Sequence, residues 1–375
     1  MNAETSNIAA LVVKVVERCN LNCSYCYMYN HADKSYLSRP PFMSEKTFRK
    51  LVERAQEYCS RRRGHKIALT FHGGEPMMMG PEMFERFAAI ATETLGQYLA
   101  GLSMQTNGTL ITDRWVEALH RHRVSVGVSL DGPASIHDQV RLDHAGKGSH
   151  DRAVRGLLQL HGAKLAAIVL CVVNPRCSGL DAYRHFRSLG IEHMDYLLPD
   201  ASHDSKPILY SDCGPTPVAD YLIPIFDAWV AEDNPAVSIR IFEDIIKTIL
   251  GGKPLTDCIG NPLAAYLVID TDGAIQLNDA LKVCDEGVSE SGLNIFEHGF
   301  DELSFGPPLF RQVVLGGVPL SSTCQACMER DLCGGGYLPH RYSRSKGFDN
   351  TSIWCRDLLK LIEHIRYYVK HELAA

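Results

Sequence analysis

The chain has no apolar stretch long enough to cross a bilayer. Its longest, Leu165–Val173, falls well short of the roughly 20 residues that a spanning helix needs. A secretory start is also missing, because residues 1–10 are polar and no charged segment precedes an apolar core there. Nor is there a basic excess: the formal net charge of −6 over 375 residues leaves no electrostatic footprint for nucleic acid. Arg61-Arg62-Arg63 reads as the solvated end of a helix, where cations complement the dipole. The sequence contains no internal repeat and no low-complexity tract. With 22% charged and 45% hydrophobic residues, these absences describe a cytoplasmic globular chain without membrane or nucleic-acid partners. Its length allows one large core or two to three domains.

What the chain does have is cysteine, thirteen in all. In a reducing compartment, cysteines at ligand-like spacings point to metal rather than to disulfides. Cys19, Cys23 and Cys26 form a C-x3-C-x2-C run directly after the β-branched segment Leu11–Val16. Three thiolates on one short loop hold three irons of a four-iron cluster. The fourth iron is then open to bind and reduce a small molecule, where a fully ligated cluster only passes electrons. A second group, Cys324, Cys327 and Cys333, precedes Gly334-Gly335-Gly336, and Cys355 lies further on. These four suit a complete second cluster, with a structural zinc site as the competing reading, since C-x2-C serves both. Cys258 and Cys284 read as buried free thiols at least as readily as ligands. Cys59, Cys171, Cys177 and Cys213 read as packing residues.

Strands are predicted at Leu11–Val16, Ile67–Phe71, Leu102–Gln105, Ser125–Ser129, Ala167–Val173 and His193–Leu198. Helical periodicity falls between them, at 44–62 (with Ser44 as N-cap), 81–96, 112–121, 149–161 and 179–189. The alternation implies an α/β fold, a parallel sheet closing part of a (β/α)6 TIM-like barrel, with functional residues at the strand C-terminal ends. Polar or glycine-rich motifs fall at those ends: the cysteine loop, His72-Gly73-Gly74-Glu75-Pro76, Thr106-Asn107-Gly108, Leu130-Asp131-Gly132-Pro133 and Asn174-Pro175. Gly73 and Gly74 let backbone approach a ligand closely, and Glu75 suits an ammonium group. Gln105, Asn107 and Ser129 suit a ribose or a carboxylate, although turn chemistry explains such residues equally well. Arg141 and Arg155 are candidate carboxylate partners, the alternative being solvated helix faces. Further helices are predicted at 217–231, at 241–250 and from about 353, with a hairpin around Asp270-Thr271-Asp272-Gly273. Asp270 and Asp272 read as turn formers. Asp279, just beyond, is the candidate catalytic base. The expected division is a barrel over 1–215, a helical bridge over 216–257 and a cluster-binding domain over 258–375.

The cysteine triplet with Tyr25 before its third member, the Gly73-Gly-Glu-Pro76 motif and Ser129-Leu-Asp-Gly132 resemble the radical S-adenosylmethionine (SAM) superfamily. Cys324–Cys355 resembles its C-terminal SPASM extension. His31–Ser35, the run 333–342 and Gly347–Asn350 resemble the FxsB-type maturases, which install cyclophane crosslinks in ribosomally made peptides. The resemblance implies a SAM-binding [4Fe-4S] cluster on Cys19, Cys23 and Cys26, with SAM cradled by Tyr25, Gly73, Gly74, Glu75, Gln105, Asn107, Ser129, Arg141 and Arg155. It implies a 5′-deoxyadenosyl radical that takes hydrogen from a side-chain β-carbon, which then attacks an aromatic ring, the auxiliary cluster providing an electron exit. The implied partners are a precursor peptide and a flavodoxin- or ferredoxin-type donor. Many SPASM proteins carry a cysteine just after the glycine run, where it helps bind a first auxiliary cluster. Tyr337 stands there in this chain, so one auxiliary [4Fe-4S] cluster is expected, on Cys324, Cys327, Cys333 and Cys355. Neither end of the chain leaves room for an added leader-recognition domain. The alternatives are an anaerobic sulfatase maturase forming formylglycine, peptide epimerisation or thioether formation. Outside enzymes, an iron–sulfur electron carrier or a peptide-binding protein remains.

Overall fold

The computed structural model describes residues 8–165, 167–260 and 265–374; residues 1–7 of the stretch read for a secretory signal lie outside it. Six parallel strands, β1 (Ala10–Val16), β2 (Ile67–Gly73), β3 (Leu99–Thr106), β4 (Ser125–Ser129), β5 (Ala167–Val172) and β6 (His193–Leu197), pair in sequence order. The intervening helices are α1 (Glu45–Ser60), α2 (Pro81–Leu95), α3 (Asp113–Arg121), α4 (His150–Gly162) and α5 (Gly179–Ser188). They begin and end within a few residues of the predicted limits. Local chemistry explains the starts: Ser44 Oγ accepts from the Thr47 amide at 3.0 Å, and Thr112 and Ser178 cap α3 and α5 in the same way. Each helix buries its apolar stripe on the sheet, as Phe48, Leu51, Val52 and Ala55 of α1 show.

The hairpin forms where predicted, between β8 (Tyr266–Ile269) and β9 (Ala274–Gln276), with Gly273 at φ +86° in the turn. It does not stand apart in a C-terminal domain, however. β8 pairs parallel with β1, Ala10 opposite Tyr266 and Val13 opposite Ile269. Two short strands escaped the sequence reading, β7 (Ser238–Ile239) and β10 (Glu290–Asn294), and the result is one ten-stranded sheet in the order β10-β9-β8-β1-β2-β3-β4-β5-β6-β7. The division expected at residue 258 therefore runs through a shared sheet. After β6 come α6 (Pro217–Glu232), α7 (Arg240–Ile249) and finally α8 (Cys355–Ala374). Asp357 Oδ1 accepts from the Val218 and Ala219 amides at 2.7 and 3.0 Å, satisfying open donors at the start of α6. Trp354 donates its indole N–H to the Pro199 carbonyl at 3.0 Å, which ties Cys355 to the mouth of the barrel. Among the described residues, no helix is long and apolar enough to cross a membrane.

Candidate active site and cluster-binding loops

A cavity of about 300 Å³ lies at the C-terminal ends of the strands. Cys19, Cys23, Cys26, Asp279 and Tyr337 all line it. Burial, the first cause, and then mutual repulsion push the thiols of Cys19 and Cys26 up to about 12 and about 11. As bare thiols they keep their protons, so metal loading must release protons. The Leu21 amide and Asn107 Nδ2 both point at Cys19 Sγ, at 3.4 and 3.9 Å, donors suited to an anionic sulfur. Three soft thiolates converging on one cavity fit an iron–sulfur cluster with an open position.

The second set also assembles. Cys324, Cys327 and Cys355 stand close enough to Cys333 to push its thiol upward, after burial, to about 12. Four thiolates from an N-terminal helical turn, a glycine run and the first residue of α8 fit one complete cluster. Cys258 and Cys284 do not join each other: Cys258 faces the reaction cavity, whereas Cys284 faces an adjoining cavity of about 520 Å³. Tyr337 is held by a hydrogen-bonded cage in which Asn278 Nδ2 donates to Tyr337 Oη at 2.6 Å and to Asp257 Oδ2 at 3.1 Å. Tyr266 Oη donates to the same Asp257 oxygen at 2.9 Å.

The individual site residues separate under this geometry. Gln105, Asn107, Ser129, Tyr25 and Arg141 line the cavity wall. Gln105 Nε2 donates to Ser129 Oγ at 2.9 Å. Gly127 makes this possible, because a Cβ there would sit 2.0 Å from Gln105 Oε1. Arg141 Nε donates to Asp131 Oδ2 at 2.7 Å, and Tyr25 Oη donates to that oxygen at 2.6 Å. Arg141 therefore has a resident carboxylate, Asp131, which the strand-end motif had shown only as a turn residue. Arg155 does not belong to the site. It lies exposed on α4, away from the cavity wall, so the solvated-face reading was the right one.

Glu75 needs a similar correction. It is completely buried and lies beneath the cavity, with its oxygens accepting from Thr106 Oγ1 (2.7 Å), the Asn107 amide (2.7 Å) and the Met77 amide (3.0 Å). Its carboxylate thus fixes the turn after β3, with Oε2 accepting from the Asn107 amide alone. Burial, the dominant cause, raises Glu75 to about 7 against these three donors. Gly73 and Gly74 line the cavity, but the closest approach they permit is to the chain itself. Added Cβ atoms would meet Val16 O at 2.1 Å and Tyr29 Oη at 2.0 Å. We expect Gly74→Ala to cost about 1–3 kcal/mol and to displace the cysteine loop. Chemical denaturation and iron content per chain would check this, and unchanged iron binding would refute it.

Asp279, the candidate base, lines the cavity and is 14% exposed. Tyr27 Oη donates to Asp279 Oδ2 at 2.6 Å, and Lys14 Nζ stands 3.3 Å from the same oxygen. Burial opposes ionisation, but Lys14, His72, the Tyr27 hydrogen bond and Lys282 together hold Asp279 down at about 2. Asp270 is more than a turn former. It is completely buried and lies 3.1 Å from Arg39 Nη2 and 3.8 Å from Lys14 Nζ. Lys14 was the residue missed, although a lysine within Ala-Leu-Val-Val-Lys-Val-Val is a visible signal.

Residues 13–175 match the family profile of the Radical SAM superfamily. Across its length the chain is 26% identical, over 370 residues and 95% of each sequence, to the cysteine-type anaerobic sulfatase-maturating enzyme of Clostridium novyi (strain NT). Its fold is similar to native anSMEcpe with bound AdoMet, with a TM-score of 0.82 and 24% identity over 97% of this chain and 100% of that one. It is also similar to Streptococcus suis SuiB bound to precursor peptide SuiA, with a TM-score of 0.64 and 15% identity over 94% of this chain and 76% of that one. These two structural likenesses concern the fold. Residues 13–175 thus carry the radical SAM family's profile, and the chain is a radical SAM enzyme with sulfatase-maturating relatives. Its cofactors are accordingly SAM and a [4Fe-4S] cluster.

Proposed function

We propose that this enzyme matures a ribosomally made precursor peptide by forming a carbon–carbon cyclophane bond between an aromatic ring and a side-chain β-carbon. The supporting observation is the cysteine inventory: one complete set of four thiols, at Cys324, Cys327, Cys333 and Cys355, with Tyr337 caged by Asn278 and Asp257 in place of a further cysteine. Cys19, Cys23 and Cys26 hold the radical-forming cluster, and the other four cysteines hold the auxiliary one. Bound SAM at the reduced cluster supplies the hydrogen-abstracting 5′-deoxyadenosyl radical.

The protein's own groups do the rest. Gln105 and Ser129, locked to each other, and Asn107 present amide and hydroxyl groups to the ribose or carboxylate of SAM. Arg141, oriented by Asp131, turns the rest of its guanidinium toward the same wall. Crosslinking removes one hydrogen atom from the β-carbon, which ends on 5′-deoxyadenosine, then one proton from the attacked ring and one electron, which an auxiliary cluster on Cys324, Cys327, Cys333 and Cys355 would accept. Asp279 accepts that proton on its carboxylate, beside Tyr27.

A second reading, formylglycine formation on a Cys or Ser side chain, is favoured by the 26% identity to a sulfatase-maturating enzyme over 95% of both chains. Mass alone separates the two poorly, since oxidising serine also removes two hydrogens. The test is co-expression with a short aromatic-ending peptide encoded beside the gene, and separately with Cys- and Ser-containing sulfatase peptides. A product two hydrogens lighter that resists fragmentation between the linked residues and ignores hydrazide reagents supports the crosslink. A hydrazide-reactive aldehyde on the sulfatase peptides establishes the second reading instead.

A further inference from the structure

Lys14 occupies the middle of β1 and is completely buried. Around it lie Asp279 at 3.3 Å and Asp270 at 3.8 Å, and its Nζ finds no well-aligned hydrogen-bond acceptor. Asp270 is held in turn by Arg39, whose guanidinium reaches out to Glu290 at 3.3 Å and Asp272 at 3.7 Å. With Glu17, another fully buried carboxylate whose charge acts on Lys14, these side chains form a charged network leading from a partly exposed rim to the floor of the reaction cavity. A buried ion pair is a poor way to add stability, because apolar residues of similar volume commonly do as well or better. A cation at this position therefore calls for another explanation.

We propose that Lys14 is a positioning residue that keeps Asp279 ionised and its Oδ2 fixed at the cavity wall, ready for the proton released in the reaction. The inference rests on Asp279 acting as the base. His72 from β2 faces Asp279 as well, and burial, the largest cause, lowers its basicity while Asp279 raises it. Lys282 is farther away, its ammonium 4.0 Å from Asp33, and Tyr27 contributes a hydrogen bond without charge. The charge of Asp279 in turn pushes Asp200 and Asp257, which line the same cavity, upward. Lys14 is thus the one full cation within 4 Å of Asp279 among the described residues.

The test uses K14M, K14Q and K14R in the full-length holoenzyme. Titration toward acid, followed by infrared spectroscopy, tracks the protonated-carboxyl band assigned to Asp279 by its loss in D279N. In K14M and K14Q that band should appear at least about one pH unit higher than in the native protein, while K14R keeps the native midpoint. The acid limb of crosslink formation should move with it. K14Q fits the site and can still hydrogen-bond to Asp279 without charge, so it separates charge from packing if K14M fails to fold. An unmoved band in K14Q overturns the inference. A moved band together with D279N that still forms product leaves the electrostatic link standing and refutes Asp279 as the base instead.

Discussion

Replacing Cys23 with Ala should leave a protein with roughly four irons per chain, out of about eight, and no detectable 5′-deoxyadenosine. Cys23 is buried beside the Arg141–Asp131 pair, and that guanidinium stabilises its anionic form. With one of three ligands gone, the cluster has two protein anchors and no means of keeping a single defined open iron. C333A should remove a different four irons and leave the first four in place, because the two cysteine sets are built on separate segments. Iron analysis and the charge-transfer absorption of each variant test this directly. Native protein holding near twelve irons would contradict the single auxiliary cluster. A colourless, zinc-loaded second set would return Cys324–Cys355 to a structural zinc site.

The strand positions and the cysteine sets were legible because both are short-range signals. β-branched runs such as Leu11–Val16 declare their own ends, and ligand spacing survives without knowledge of the fold. The roles of Glu75 and of the two arginines were not legible, since each depends on what lies opposite in space. Arg141 and Arg155 are the same residue type in neighbouring segments, yet one meets Asp131 in the cavity wall and the other meets water. Glu75 reads as a free carboxylate until Thr106 and the Asn107 amide, more than thirty positions away, are seen to donate to it. The parallel pairing of β8 with β1 is likewise a long-range fact. It is also what carries Asp279, a few residues beyond the hairpin, to within reach of Lys14 and the cysteine loop. Lys14 itself was overlooked because one cation hardly alters the average of a β-branched strand.

The other large effect belongs to Asp279→Asn. The carboxamide matches the native side chain in shape but accepts no proton at neutral pH, so crosslinked product should fall by about 10²–10⁴-fold. Reductive SAM cleavage needs no base and should continue, giving 5′-deoxyadenosine in large excess over product. The pH behaviour follows from the depressed value of about 2. The native carboxylate is already charged throughout pH 5–9, so product formation should show no acid limb from Asp279 in that window. The same depression means that ionised Asp279 contributes stability above its unfolded value near 4, and that this contribution fades as pH falls toward 2. D279N should therefore be less stable than the native protein at pH 7 and lose that deficit in acid. Lys14, left with Asp270 at 3.8 Å and the more distant charge of Glu17, is the source of the deficit. Equal product yields from D279N and the native enzyme, at matched SAM cleavage, would place the proton acceptor elsewhere in the cavity. Asp200, which burial holds up at about 7, is the next carboxylate on the wall.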